Sequence, residues 1–167
     1  MFTWEKRDSN APTERADFII CWIKDLIDLK AKQTEQCLHD KTGFCCLGVA
    51  SNIAGYKWVW DEDGNKYVIK FSRSTYDSYL PFDLAKFLGT NTSNVTFSPS
   101  ISIPNYGEFH NLISMNDDGL SFRIIAKTIQ SECVGLFKDL SPEEETYIKA
   151  YKIPTRQELR DLNKAAS

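Results

Sequence analysis

A chain of 167 residues, 42% hydrophobic and 26% charged, is long enough to bury one core, and its composition excludes wholesale disorder. A formal net charge of −3 and a pI near 5.4 argue against a protein held on DNA or an anionic membrane by bulk electrostatics. Five cysteines, an odd number without a repeating spacing, point to reduced thiols in a cytoplasmic setting and away from a disulfide framework.

Met1 to Asn10 is polar and mixed in charge, so no signal peptide is expected, and residues 1–12 read as a flexible lead-in. The most apolar stretch, Phe18 to Leu29, is interrupted by Lys24, Asp25 and Asp28, so no bilayer span is expected. Asn10-Ala11-Pro12-Thr13 offers two N-caps for a helix running to about Lys30. Phe18, Ile19, Trp22, Ile23, Leu26 and Ile27 repeat along one face of it, leaving Lys24, Asp25 and Asp28 wet. Phe44 to Ala54 reads as a second helix stopped by Gly55.

Lys57 to Phe71 reads as a β-hairpin, because Trp58-Val59-Trp60 and Tyr67-Val68-Ile69 flank an Asp63-Gly64 turn. An even loop centred there sets Trp60 opposite Tyr67, Trp58 opposite Ile69 and Asp61 opposite Lys66. Trp58, Trp60, Tyr67 and Ile69 then form the face expected to be buried. The other face carries Val59 and Val68 and sets Lys57 against Lys70, a like-charge pair.

Pro81 starts a short helix with Leu84, Phe87 and Leu88, ended by Gly89. Residues 90–110 form a long connection in which Val95, Phe97, Ile101 and Ile103 suit short edge strands, broken by Pro99 and Pro104. Asn111 to Asn116 is a helical turn and Asp118-Gly119 a tight turn. Ser121 caps a helix to Ser131. Capping boxes at Ser141-Pro142-Glu143-Glu144 and Thr155-Arg156-Gln157-Glu158 open two more helices, so 141–167 is a C-terminal helical extension. Together these elements predict an α+β fold, a mostly helical single domain over 1–167 with one β-hairpin or small antiparallel sheet.

Three constellations invite chemistry. Cys45-Cys46 with Cys37 and His39 has soft ligands for zinc, but adjacent cysteines lack the spacing of a zinc knuckle. With Leu47 and Val49 following, both read as core, and neither a metal nor a cofactor is expected. Asp118 to Ala126 resembles the turn and first helix of a helix-turn-helix unit. Its recognition helix would be Cys133 to Leu140, where Lys138 is the one cation, so DNA is the weaker candidate partner. Asn116-Asp117-Asp118 is rich in acceptors but lacks the twelve-residue pattern of a calcium loop, and an Asx-type turn explains it.

Three strings in order carry a family resemblance. They are Trp22…Leu26…Gln33…Cys37-Leu38 into Phe44-Cys45-Cys46-Leu47-Gly48-Val49; Leu80-Pro81…Phe87-Leu88-Gly89; and Met115-Asn116-Asp117-Asp118-Gly119-Leu120-Ser121-Phe122…Ile125-Ala126…Ile129. The stretch from Asp17 to Ser131 is similar to an uncharacterised family of small accessory proteins common in tailed-phage and prophage genomes. This chain departs in its longer 90–110 connection and its extra C-terminal helices. The resemblance implies an accessory protein acting in the bacterial cytoplasm, and no reaction. Cys45, Cys46, Asn116, Asp117, Gly119 and Ser121 are its turn and core motif.

The leading expectation is therefore a non-catalytic binding protein, a counter-defence candidate that sequesters a nucleotide-type small molecule or blocks a host protein. A helix-turn-helix regulator and a nucleotide-processing enzyme without a standard motif are the alternatives, and the oligomeric state stays open. The ligand site expected from the hairpin is Lys57, Lys70 and Arg73, with Phe97, Tyr106 or Phe109 folding over it to stack on a base.

Overall fold

The computed structural model describes residues 2–28, 32–71, 73–90 and 92–165. Among them are eight helices and two antiparallel sheets, an α+β fold in which helix outweighs strand. The expected end of the first helix at Lys30 lies outside the described residues. So does Asn91.

α1 (Glu14–Ile27) begins where Thr13 accepts the Ala16 amide and closes with Asp28 as C-cap. Its apolar stripe, Phe18, Ile19, Trp22, Ile23 and Leu26, is buried at the centre of the core, while Lys24, Asp25 and Asp28 stay exposed. α2 (Cys46–Ile53) is shorter at both ends than the sequence suggests, and Gly55 leaves it at φ +79°. Residues 2–12, expected as a flexible lead-in, form no helix or strand but lie against α1. The buried Asp17 carboxylate accepts from Trp4 Nε1 at 2.8 Å and from the amides of Arg7 and Asp8 at 2.8 and 3.0 Å. Phe2 packs edge-on against Phe18 at 5.8 Å.

The hairpin forms in the anticipated register: β1 (Trp58–Asp61) pairs with β2 (Lys66–Phe71) through Trp58–Ile69, Val59–Val68, Trp60–Tyr67 and Asp61–Lys66. Three details differ. A third strand, β3 (Ser74–Tyr76), extends the pair to an order β1-β2-β3. Lys57 lies just before β1, outside the paired residues, and on the other edge of β2 Lys70 pairs with Thr75 of β3. Lys66, though opposite Asp61, turns its ammonium to Asp77 at 2.6 Å. Val68 and Ile69, on opposite faces of the central strand, are both buried, while Val59, Val68's partner on β1, stays 40% exposed.

α3 (Phe82–Leu88) ends at Gly89 in the left-handed region. The connection over 90–110 proves more regular than its composition implies. β4 (Thr96–Ile103) and β5 (Gly107–Asn111) pair as a second hairpin, with an irregularity between Thr96 and Ile101 that accommodates Pro99. It packs on α4 (Leu112–Asp117) and on α6 (Cys133–Leu136), not over the first hairpin as expected.

α5 (Phe122–Ser131) lies against α1, and α7 (Pro142–Ala150) closes the bundle on α1, α5 and α6. Both capping boxes form, the second opening α8 (Arg156–Ala165), which buries no residue. Among the described residues no helix is long and apolar enough to cross a membrane.

The seam between α7 and α1 is ionic. The Glu144 carboxylate, 3% exposed, accepts from Arg15 at 2.6 and 3.0 Å, from Thr13 at 2.6 Å and from the Ser141 amide at 2.8 Å. Burial alone would raise its pKa, but the Arg15 and Thr13 hydrogen bonds outweigh that and hold it at about 2. A folded value below the unfolded one contributes stability that is present above pH 4.5 and lost as pH falls towards 2. Glu144→Gln should therefore cost about 3 kcal/mol near neutrality and flatten the acid limb of a denaturation series. Asp40, also held at about 2, keeps a residual slope in that window. Equal stability of wild type and variant at pH 7 would show that the pair contributes nothing.

Candidate functional site

The first and third strings of the sequence resemblance meet at the head of α2. Asn116, 1% exposed, is their hub. Its Oδ1 accepts the Cys46 amide at 3.1 Å and Gln33 Nε2 at 3.2 Å, and its Nδ2 donates to the Thr34 carbonyl at 2.8 Å. Gln33 also donates to the Leu120 carbonyl at 2.7 Å and accepts the Phe122 amide at 3.1 Å. Asp117 takes the Gln36 amide at 2.9 Å. The Asn-Asp string is thus a clasp, joining the turn at Gly119 (φ +77°) and the start of α5 to the loop before α2. Ser121 occupies the N-cap position of α5 but makes no side-chain cap bond.

Cys45 and Cys46 are buried, at 5% and 0% exposure. Cys45 is the N-cap of α2, its sulfur accepting the Gly48 amide at 3.4 Å. The Cys46 thiol lies against both that sulfur and the Leu112 carbonyl, 3.5 Å away. Among the described residues no group of three or more His, Cys, Asp and Glu side chains is placed to hold a metal.

The loop over 32–45 is folded on itself. The Phe44 amide donates to Lys32 and the Thr34 amide to Phe44, at 3.0 and 2.9 Å. Asp40 collects the Thr42 and Gly43 amides and the Thr34 and Thr42 hydroxyls within 3.0 Å. Burial works against its charge, but these donors prevail. That scaffold fixes His39. Its Nδ1 donates to the Gly43 carbonyl at 2.7 Å, which leaves Nε2 as the remaining polar atom of the ring. The imidazole is stacked between Phe44, centroids 4.0 Å apart at 17°, and Tyr67, 4.3 Å apart at 15°. Trp58 meets it edge-on at 5.2 Å. Trp60 meets Tyr67 edge-on at 4.9 Å, and the Lys41 ammonium sits 4.5 Å over the Trp60 ring. Tyr67 donates its amide to the His39 carbonyl at 2.9 Å, so sheet and loop are joined through backbone as well as rings.

Beside this aromatic column opens a cleft of about 560 Å³. Asp25 and Asp28 from the end of α1, Lys32, Lys41 and Thr42 from the loop, and Val49 and Asn52 from α2 line it with His39 and Phe44. Its size lies within the range of small-molecule sites, and it combines a flat aromatic wall with charges of both signs.

The site expected from the hairpin is not assembled. Lys57, Lys70 and Arg73 are exposed, with no strand pairing between the two lysines. Phe97 and Phe109 are 4% and 2% exposed and belong to the core, and Tyr106 is half exposed at the turn between β4 and β5. The helix-turn-helix reading also lacks its second helix. α6 is a single turn packed on β4, with Cys133 and Leu136 buried and Phe137 buried just beyond.

Sequence reasoning missed His39, Lys32 and Lys41 as a set. The one available signal was the polar run Lys32 to Gly43 holding a lone imidazole next to Phe44. No curated protein and no solved structure matches the chain. A family model does match, over residues 19–133, spanning both the clasp and the cleft, and the chain belongs to that family, described as "Domain of unknown function (DUF8296)".

Proposed function

We propose that this chain is a phage-type accessory protein that binds its target without transforming it, and that a nucleotide-type small molecule is held in the His39 cleft. The supporting observation is the meeting, in one concave surface, of a half-buried Phe44 ring backed by His39 and Tyr67 with two ammonium and two carboxylate groups. A base stacks on an aromatic face whatever its sequence identity. Phosphate oxygens accept from Lys32 and Lys41, and ribose hydroxyls or base amino groups donate to Asp25 or Asp28. The balance of two lysines against two aspartates favours a ligand carrying both an anion and hydrogen-bond donors over a simple polyanion. A counter-defence role in the bacterial cytoplasm is the setting the sequence resemblance suggests for such a sink.

A second reading, capture of a host protein, rests on a different surface. Phe82 and Tyr79 are 71% and 49% exposed, unusual for aromatic side chains, and flank a groove of about 640 Å³ beside β3. Native mass spectrometry of the protein recovered from infected cells separates the two. An adduct of nucleotide mass, absent from a Lys32→Glu, Lys41→Glu variant, supports the first. A stoichiometric protein partner lost on Phe82→Ser, with no small adduct, supports the second.

A further inference from the structure

We propose that Cys37 and Cys45 form a peroxide-sensitive dithiol, in which Cys45 is oxidised first and Cys37 resolves it, cross-linking the loop before α2 to the helix head. The proposal is independent of the ligand reading above. Both residues line a second cavity, of about 250 Å³, together with Gln36, Ser78, Tyr79 and Asp117. The backbone holds them as neighbours. The Cys45 amide donates to the carbonyl of Leu38, the residue after Cys37, at 3.0 Å, and Leu38 is itself anchored by its amide to the Asp77 carbonyl at 2.6 Å.

The two thiols are unequal in a useful direction. The Cys46 thiol and the Gly48 and Leu47 amides hold Cys45 below the usual cysteine range. Burial, aided by the Asp40 charge, pushes Cys37 above it. Two thiols that line one small cavity, the one at a helix N-cap held lower than the other, make the arrangement of a reactive and a resolving cysteine. The remaining cysteines are placed differently. Cys46 is fully buried with its thiol raised well above the usual range by burial, Cys133 is fully buried, and Cys21 sits on α1.

The chemistry balances with hydrogen peroxide as oxidant. The Cys45 thiolate attacks one peroxide oxygen, the O–O bond breaks, and the departing hydroxide takes up a proton to become water. This leaves a sulfenic acid on Cys45. The Cys37 sulfur then attacks the Cys45 sulfur, the S–S bond forms, the S–O bond breaks, and the hydroxyl leaves as a second water carrying the Cys37 proton.

The test treats the reduced full-length protein with hydrogen peroxide and reads intact mass and a non-reducing tryptic map. Wild type should lose the mass of two hydrogens and yield one cross-linked pair, Gln33–Lys41 joined to Thr42–Lys57, with fragmentation placing the bond on Cys45 and reduction reversing it. Cys37→Ser should instead stop at a sulfenic acid on Cys45, captured by dimedone. Cys45→Ser should give neither product while retaining the wild-type circular dichroism spectrum. If that variant does not fold, the wild-type and Cys37→Ser arms still decide. An unmodified wild type, a bond to Cys46, or dimedone capture on another cysteine overturns the proposal.

Discussion

Replacing Gly48 with alanine is expected to destabilise the protein on the order of 5 kcal/mol, a large share of a typical domain's total. Helix propensity alone predicts the opposite, since alanine is better than glycine inside a helix by about 1 kcal/mol. Sterics decide it. A Cβ at this position would stand 1.8 Å from the Leu38 carbonyl oxygen and 2.7 Å from its carbon. These are backbone atoms, not the end of a flexible side chain, and Leu38 is tied on both sides by the Asp77 and Cys45 hydrogen bonds. Making room means moving the loop off α2, which orphans the buried Cys45 amide and opens the core around the fully buried Leu38. Urea denaturation reads the result directly as a fall in midpoint. A Gly48→Ala protein as stable as wild type would show that the loop does not press on the helix there.

Asn116→Ala should cost about 4 kcal/mol, by a different route. The substitution leaves little strain, but it strands two backbone groups. The Cys46 amide and the Thr34 carbonyl both lose their Asn116 partner, and each buried unsatisfied group costs roughly 2 kcal/mol. Asn116→Asp is the informative companion. It keeps an acceptor for the Cys46 amide but places a carboxylate oxygen where an amide nitrogen now faces the Thr34 carbonyl, so two acceptors meet. It should be no better tolerated than alanine. Both variants are measured by chemical denaturation, and an aspartate protein as stable as wild type would refute the assigned orientation of the side-chain amide.

These two positions explain what was legible in the sequence and what was not. The strings around Cys45-Cys46 and Asn116-Asp117 stand out as strings, yet the reason for them is a set of bonds across about 70 to 90 residues that no local pattern displays. The hairpin register followed from strict alternation about Asp63-Gly64. Its continuation into β3 did not, because Ser74-Thr75-Tyr76, though it holds two strand-favouring residues, is too short to show an alternation and is paired along the edge of β2. Phe97 and Phe109 sit in a polar, proline-broken segment and so looked available. They are buried because that segment closes as a hairpin whose inner face packs on α4 and α6. The His39 column brings together residues 39, 44, 58 and 67, and imidazole stacking on two rings leaves no periodic trace in the chain.

The ligand reading meets its most direct test in calorimetric titration of the purified protein with a panel of purine and pyrimidine nucleotides. Wild type, Lys41→Glu, Phe44→Ala and a Lys57→Glu, Lys70→Glu control should be compared after their folds are matched by circular dichroism. Removing the stacking ring is expected to weaken binding by roughly ten- to a hundredfold, as loss of about 1–3 kcal/mol per stacked base implies. Reversing the Lys41 charge should weaken it further as salt is lowered, since repulsion of the phosphate is then less screened. The hairpin control should bind as wild type does. Saturable heat from at least one nucleotide, lost at Lys41 and Phe44 and kept in the hairpin control, is the predicted result. No heat from any member of the panel, or equal heat from all four proteins, would contradict a nucleotide site in the His39 cleft.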